Sequence, residues 1–202
     1  MSLFSDTYVE IERAAEFNLR EKGSKFLAYS FPIQSESEVK PLLTQLKSKY
    51  PDATHHCYAY VIGQSSEAQR ANDDGEPSNS AGRPILRAII SQELTNVLVV
   101  VVRYFGGTLL GIPGLISAYG GAAQEVLKIS GRIQRLQEER FSITSDFEKE
   151  QEIHLFLKSF EFRITNREYT DRVTYTVMIR KNQVMQFEKA GAEAYLLEVK
   201  SF

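Results

Sequence analysis

Hydrophobic residues in the first third of the chain alternate with polar ones, which is the period of a half-buried strand. Residues 8–12 and 15–20 show it first, and 26–33 repeats it after a turn at 21–24. We therefore predict a hairpin there. A further alternating strand is predicted over 54–62.

A helix is predicted between these strands. Ser35 with Glu38 three residues later matches a capping box, in which each side chain satisfies a free amide at the helix start. Apolar residues then recur at helical spacing up to Tyr50, and Pro51 ends the helix.

The middle of the chain contains its longest apolar run, 97–102, which predicts a fully buried strand. Before it lie a long polar loop at 63–82 and a helix from Pro84 to about residue 92. After it, a second helix is predicted over 113–129. Gly120 and Gly121 weaken that helix, so we expect them to pack closely against another backbone.

The pattern changes near residue 137. Strand-like residues at 141–144 precede a helix around 153–160, a hairpin at 162–169 and 173–179, a short helix at 183–189 and a strand at 194–200. This is the β-α-β-β-α-β order of a ferredoxin-like domain. The sequence thus predicts an α+β protein with a first domain at 1–136 and a second at 137–202.

Composition narrows the class of protein. The 202 residues are 43% hydrophobic with a formal net charge of −2, which argues against a generally basic nucleic-acid binder. The single cysteine, Cys57, excludes a disulfide framework and suits a reducing compartment. We expect a cytoplasmic protein with no signal peptide and no membrane span, since the longest apolar run is far too short for one.

Three carboxylates lie within four residues, at Asp73, Asp74 and Glu76. We call this segment the acidic loop. Clustered oxygens suit a divalent cation or a general base, although the spacing is not that of an EF-hand loop. The alternative is a structural Asp-Gly turn whose carboxylates accept hydrogen bonds from backbone amides. Both interpretations remain open.

Four glycines, at 106, 107, 111 and 114, lie at the junction between the apolar strand and the next helix, a segment that we call the glycine loop. Amides at such a junction can bind phosphate, and Arg83 and Arg103 are candidate cations. The Walker pattern is excluded because Ile112 and Pro113 stand where it needs lysine and serine or threonine. The alternative is a tight turn that requires positive φ angles.

His55, His56 and Cys57 lie side by side on a predicted strand, so His55 and Cys57 share a face. A catalytic thiol would need exposure and a nearby base, whereas a buried cysteine is more often inert. The aromatic residues Tyr104 and Phe105 suit stacking on bases but equally suit a core.

Several of these runs closely resemble the IMPACT/YigZ family: residues 22–26, 55–60, 73–86, 101–115 and 118–119. The resemblance covers about residues 8–130, and 139–202 is similar to the small ferredoxin-like domain of bacterial members and to the last domain of elongation factor G. It implies a ribosomal-protein-like first domain with a left-handed β-α-β arrangement, a mixed sheet and helices on one face. It also implies a role linked to translation, with nucleic-acid or ribosome binding suggested for bacterial members.

The chain departs from the family pattern near the glycine loop. Leu109 stands in place of a lysine, Ser117 in place of an arginine, and Asn79-Ser80 where Gly-Thr is common. The loss of these two cations removes two possible contacts with phosphate. Because affinity for nucleic acid depends on the number of such contacts, these departures weaken the case for phosphate binding at the glycine loop.

The sequence therefore predicts a non-catalytic protein that binds RNA or the ribosome and modulates translation, without cofactor, metal or membrane. A hydrolase or metal-dependent enzyme using the acidic loop, and a regulatory module that binds a protein partner, are the alternatives. The predicted binding residues are Asp73, Asp74, Glu76, Ser78, Arg83, Arg103, Tyr104, Gly106, Gly107 and Thr108.

Overall fold

The computed structural model describes residues 6–195 and 197–202, and it divides the chain into two compact units. The first unit comprises residues 8–135. The second comprises residues 136–202 together with Asp6 and Thr7 of the described chain start. The expectation of no signal peptide falls largely on residues 1–5, outside the described residues.

The first unit is built on a five-stranded antiparallel sheet. Its strands are β2 (Ala15–Glu21), β3 (Ser24–Pro32), β4 (His55–Ile62), β5 (Ala68–Asn72) and β6 (Val97–Tyr104), in the order β2-β3-β6-β4-β5. β1 (Thr7–Ile11) and β7 (Arg132–Leu136) pair in a separate two-stranded sheet.

Helices cover both faces of the large sheet. α2 (Gly82–Ser91) and α3 (Gly111–Ile129) pack on the face that carries Phe26, while α1 (Val39–Lys49) packs on the face that carries Tyr29. The α+β class is as predicted, but the expected mixed sheet with helices on one face is wrong in detail. β3, β4 and β6 are apolar on both faces, so each face needs a cover.

The predicted polar loop at 63–82 also needs correction, because it contains β5, which pairs with β4 at the edge of the sheet. The capping box is confirmed: Glu38 Oε1 accepts the backbone N–H of Ser35 at 3.0 Å. It precedes a short 3₁₀ turn that leads into α1.

The second unit is ferredoxin-like, as predicted. Its elements are β8 (Glu138–Ser145), α4 (Glu150–Leu157), β9 (Phe162–Tyr169), β10 (Val173–Arg180), α5 (Val184–Glu193) and β11 (Glu198–Ser201). The strands form an antiparallel sheet in the order β11-β8-β10-β9. Phe141 and Phe187 pack together in its core, with ring centroids 4.8 Å apart. Among the described helices, none is both long and apolar enough to span a bilayer.

Candidate functional site

The acidic loop and the end of β6 are joined by a buried ion pair. Arg103 Nη1 lies 2.6 Å from Glu76 Oε1, and both residues are less than 9% exposed. Arg103 Nη2 also donates to Ser24 Oγ at 3.3 Å, at the turn between β2 and β3. The arginine predicted to contact phosphate is thus held inside the domain, where it neutralises a carboxylate.

Two further groups complete the surroundings of Glu76. The Tyr119 hydroxyl of α3 donates to the same Oε1 atom at 2.7 Å, and burial raises the pKa of that hydroxyl. The Arg103 guanidinium carbon lies 5.4 Å from the Phe26 ring centroid and 5.6 Å from that of Phe105. A charge taken out of water needs such close partners, because desolvation would otherwise destabilise it.

The carboxylate of Asp73 organises the start of α2. Its Oδ1 accepts the backbone N–H groups of Ala81 and Gly82 at 3.0 and 2.8 Å, and its Oδ2 accepts that of Asn79 at 2.8 Å. Free amides at a helix start require such acceptors. Asp73 therefore acts as a structural acceptor for the loop.

Asp74 also supports the structure of the acidic loop. It adopts a positive φ of 43°, followed by Gly75 at 88°, which is the turn geometry that Asp-Gly favours. Its Oδ2 accepts the backbone N–H of His56 at 2.7 Å. Within the described residues, no group of three or more histidine, cysteine, aspartate or glutamate side chains could hold a metal ion.

The adjacent His55 and Cys57 contact the same loop. His55 Nδ1 is hydrogen-bonded to the Asp74 carbonyl at 2.8 Å, and its Nε2 lies 3.8 Å from Glu76 Oε1. Cys57 is fully buried, and this burial raises the pKa of its thiol, which donates to the Asp73 carbonyl. A thiol in this state is a poor nucleophile.

The glycine loop is fixed by one close backbone approach. A Cβ on Gly106 would lie 1.9 Å from the Gly23 carbonyl carbon, so only glycine fits there. Gly107 has a φ of 84° and open space around it, and Thr108 and Leu109 are exposed. The loop is therefore a rigidly held, exposed surface.

The remaining predicted residues are dispersed. Ser78 and Arg83 are exposed. Tyr104 follows Arg103 on a strand and so points to the opposite face, where it packs with the core under α1. The structure thus brings Glu76 and Arg103 together. It leaves at the surface Ser78, Arg83, Gly106, Gly107 and Thr108.

A cavity of about 420 Å³ opens between the acidic loop, the end of β6 and the start of α3. Its lining consists of Thr54, His55, Glu76, Pro77, Arg103, Phe105, Leu109, Leu110, Gly111, Ile112 and Leu115. The apolar wall residues are absent from the predicted set, because that set rests mainly on polar side chains and glycines. In the sequence, Leu109 and Ile112 are apolar residues that lie among the glycines at 106–114, and this is the signal that could have found them. In the structure both side chains are exposed, as is that of Phe105.

Comparison with known proteins agrees with this architecture. The profile of the Impact N-terminal domain matches residues 22–127, and that of a domain of unknown function (DUF1949) matches 143–194. The chain is 31% identical to IMPACT family member YvyE of Bacillus subtilis over 183 residues, covering 91% of this chain and 84% of that protein. It is 34% identical to the IMPACT homologue of Saccharomyces cerevisiae over 118 residues, covering 56% of this chain and 45% of that protein.

A solved structure shows the same fold along nearly the whole chain. It is the crystal structure of a hypothetical protein, with a TM-score of 0.71, 24% sequence identity and 98% of both chains covered. The matched profile spans more than half of the residues, and YvyE is matched over most of its length. The chain therefore belongs to the IMPACT family, which also includes YigZ of Escherichia coli.

Proposed function

We propose that this protein is a non-catalytic binding protein that contacts RNA or the ribosome and modulates translation. The observation that carries the non-catalytic part of the proposal is the internal use of all three carboxylates. Asp73 and Asp74 accept backbone N–H groups, and Glu76 accepts Arg103 and Tyr119. A carboxylate committed to such bonds supports the loops structurally and is not free to act as a base.

The same contacts support a defined binding surface. The acidic loop is anchored to β6 through Arg103, and the glycine loop is anchored to the Gly23 turn through Gly106. Loops on a rigid framework commonly carry binding residues. The exposed members of the predicted set are its available contacts: Ser78, Arg83, Gly106, Gly107 and Thr108.

Arg83 provides the test, because it is the exposed cation of the predicted set. We expect Arg83→Glu to weaken ribosome or RNA binding by about tenfold at low salt, since reversing a phosphate contact lowers affinity and the salt slope. Lys40→Glu, on α1 across the sheet, makes the same change in net charge at an exposed position and is the matched control. Equal affinities for the two variants contradict a role for Arg83.

A protein-binding module is the second candidate, favoured by exposed apolar side chains. Leu109 is 85% exposed and Ile112 is 54% exposed. Contiguous exposed apolar surface marks sites where proteins interact. If the protein is such a module, its association with a partner protein survives nuclease treatment and is lost in Leu109→Glu. Ile129→Glu, at the far end of α3, is the control and should retain the association.

A further inference from the structure

The large sheet of the first unit has an open edge at β2. This strand pairs with β3 on one side, and no other described strand pairs with its second side. Such an edge presents a row of free backbone N–H and C=O groups that can pair with another strand. β2 is therefore a place where an extended segment can add to the sheet.

The turn between β2 and β3 determines which residues expose these groups. Lys22 and Gly23 both have a positive φ, of 44° and 82°, which is the geometry of a two-residue hairpin turn. Glu21 and Ser24 flank this turn and lie opposite each other, as a hydrogen-bonded pair. Because hydrogen-bonded pairs alternate along an antiparallel ladder, the outward backbone groups belong to Glu16, Asn18 and Arg20.

The side chains at these three positions are exposed, and the outer two carry opposite charges. On β3, Arg20 lies opposite Lys25 and Glu16 lies opposite Tyr29. Like charges directly opposite each other destabilise a sheet, whereas opposite charges stabilise it. Neither charge of β2 is therefore matched by the residue opposite it on β3.

An antiparallel second copy of β2 supplies both missing charges. When a twofold axis passes through Asn18, all seven residues of the strand pair, and Glu16 of each copy lies opposite Arg20 of the other. The residues with outward backbone groups are then the hydrogen-bonded pairs, as the ladder requires. Moving the axis along β2 separates the two charges and shortens the paired stretch. The sequence of β2 thus favours one register with itself.

The other face of β2 suits the same pairing. Phe17 and Leu19 are half-buried there and line a groove of about 350 Å³ between β2 and α3. The α3 side of the groove is open, since a Cβ on Gly121 would have nothing within 4 Å. In the register centred on Asn18, Phe17 lies opposite Leu19 of the second copy. The pairing therefore places apolar side chains together along the groove.

We propose that two copies of this chain associate through β2, as antiparallel neighbours about a twofold axis at Asn18. The large sheet continues from one copy into the other, and two pairs of Glu16 and Arg20 form on one of its faces. The interface contains none of the predicted binding residues. It is therefore separate from the proposed RNA or ribosome contact.

Sedimentation velocity of the full chain over a range of concentrations tests the proposal. One copy has a mass of 23.0 kDa. We expect the weight-average mass to rise towards twice that value between about 1 and 100 µM. A mass that stays at one copy up to about 500 µM overturns the proposal.

Charge reversal tests the register. Glu16→Arg places like charges opposite each other twice, because the axis repeats each contact, and we expect the dissociation constant to rise about tenfold. The double variant Glu16→Arg/Arg20→Glu restores opposite charges and should return the constant to within about threefold of the original. Within one chain the two residues lie about 13 Å apart along the strand, too far to pair, so the rescue reports a contact between copies.

Glu93→Arg is the matched control. It makes the same charge change in the exposed turn after α2, a helix that packs against β4 and β5 towards the far edge of the sheet. We expect its dissociation constant to stay within about twofold of the original. If Glu16→Arg associates as tightly as this control, or the double variant as weakly as Glu16→Arg, the register is refuted.

Asn18→Pro tests the backbone pairing. The substitution removes an N–H group that points away from β3, and an edge strand tolerates proline at such a position. We expect the dissociation constant to rise at least about tenfold, with the far-ultraviolet circular dichroism unchanged. A folded variant that still associates like the original chain contradicts pairing through β2. Self-association is measured without ribosomes, so either proposal can fail alone.

Discussion

Glu76 accepts a 2.6 Å hydrogen bond from Arg103 although the two residues lie 27 positions apart. The pair holds the acidic loop against the end of β6, and the hydrogen bond from the Tyr119 hydroxyl to Glu76 joins the loop to α3. Glu76 and Arg103, which the sequence indicates as candidates for chemistry or phosphate binding, therefore serve to hold the fold together. The groups available to a partner are the exposed loop residues and the cavity between them.

Removing the charge of Glu76 should leave Arg103 buried without its counter-ion. We expect Glu76→Gln to lower the free energy of unfolding by about 3 kcal/mol, as breaking a buried pair does. Urea denaturation measures it. Glu125→Gln, which breaks the exposed pair with Lys128, is the control and should cost less than about 1 kcal/mol. Equal losses in the two variants contradict a stabilising buried pair.

The close approach of Gly106 to Gly23 predicts that a single methyl group is not tolerated. A Cβ would lie 1.9 Å from a backbone carbon, and backbone moves only at a cost. We expect Gly106→Ala to destabilise the protein by about 3 kcal/mol, measured as a lower midpoint of thermal or urea unfolding. A midpoint unchanged by this substitution would show that the two turns can separate freely.

Gly121→Ala offers the opposite case. Nothing lies within 4 Å of a Cβ on Gly121, so the expectation that it packs closely on another backbone is wrong. Alanine in a helix interior is favoured over glycine by about 1 kcal/mol, and we expect that gain in the free energy of unfolding. A loss on substitution contradicts the open space beside α3.

Asp73 should be needed for the start of α2. We expect Asp73→Ala to cost about 2 kcal/mol, because the amides of Asn79, Ala81 and Gly82 lose their acceptor. Asp52→Ala, at an exposed position, is the matched control and should change the unfolding free energy by less than about 0.5 kcal/mol. Amide exchange should also speed up at the start of α2. Protection as in the original chain would refute the capping role.

Stability should fall as the solution becomes mildly acidic. Burial lowers the pKa of His56 below its ordinary value of 6.5, partly opposed by the Asp74 carboxylate and assisted by Lys47. As the pH falls through 6.5, the unfolded chain takes up a proton at His56 that the folded chain does not, so the unfolding free energy decreases. Urea denaturation across this window measures the slope. In His56→Gln the slope should be shallower, and an unchanged slope would assign the effect to other groups.

The sequence predicted the elements with strong periodicity and missed those without it. β3, β4 and β6 have clear apolar patterns, whereas β5 is a short polar edge strand and has none. An edge strand is held by backbone pairing with its neighbour, which side-chain patterns do not report.

The site was less predictable for a related reason. The opposite placement of Arg103 and Tyr104 follows from strand alternation and was available from the sequence. The pairing of Arg103 with Glu76 was not, because it depends on how β6, the acidic loop and α3 pack in three dimensions. The apolar cavity is likewise a product of packing.

Co-sedimentation with ribosomes from lysate, at rising salt and with or without nuclease, tests whether this protein binds RNA or the ribosome. We expect association at about 50 mM salt that weakens towards about 200 mM, because phosphate contacts release counter-ions. We also expect that nuclease removes the association. Absence of association even at low salt would contradict a ribosome or RNA role, and association that survives both treatments would favour a protein partner.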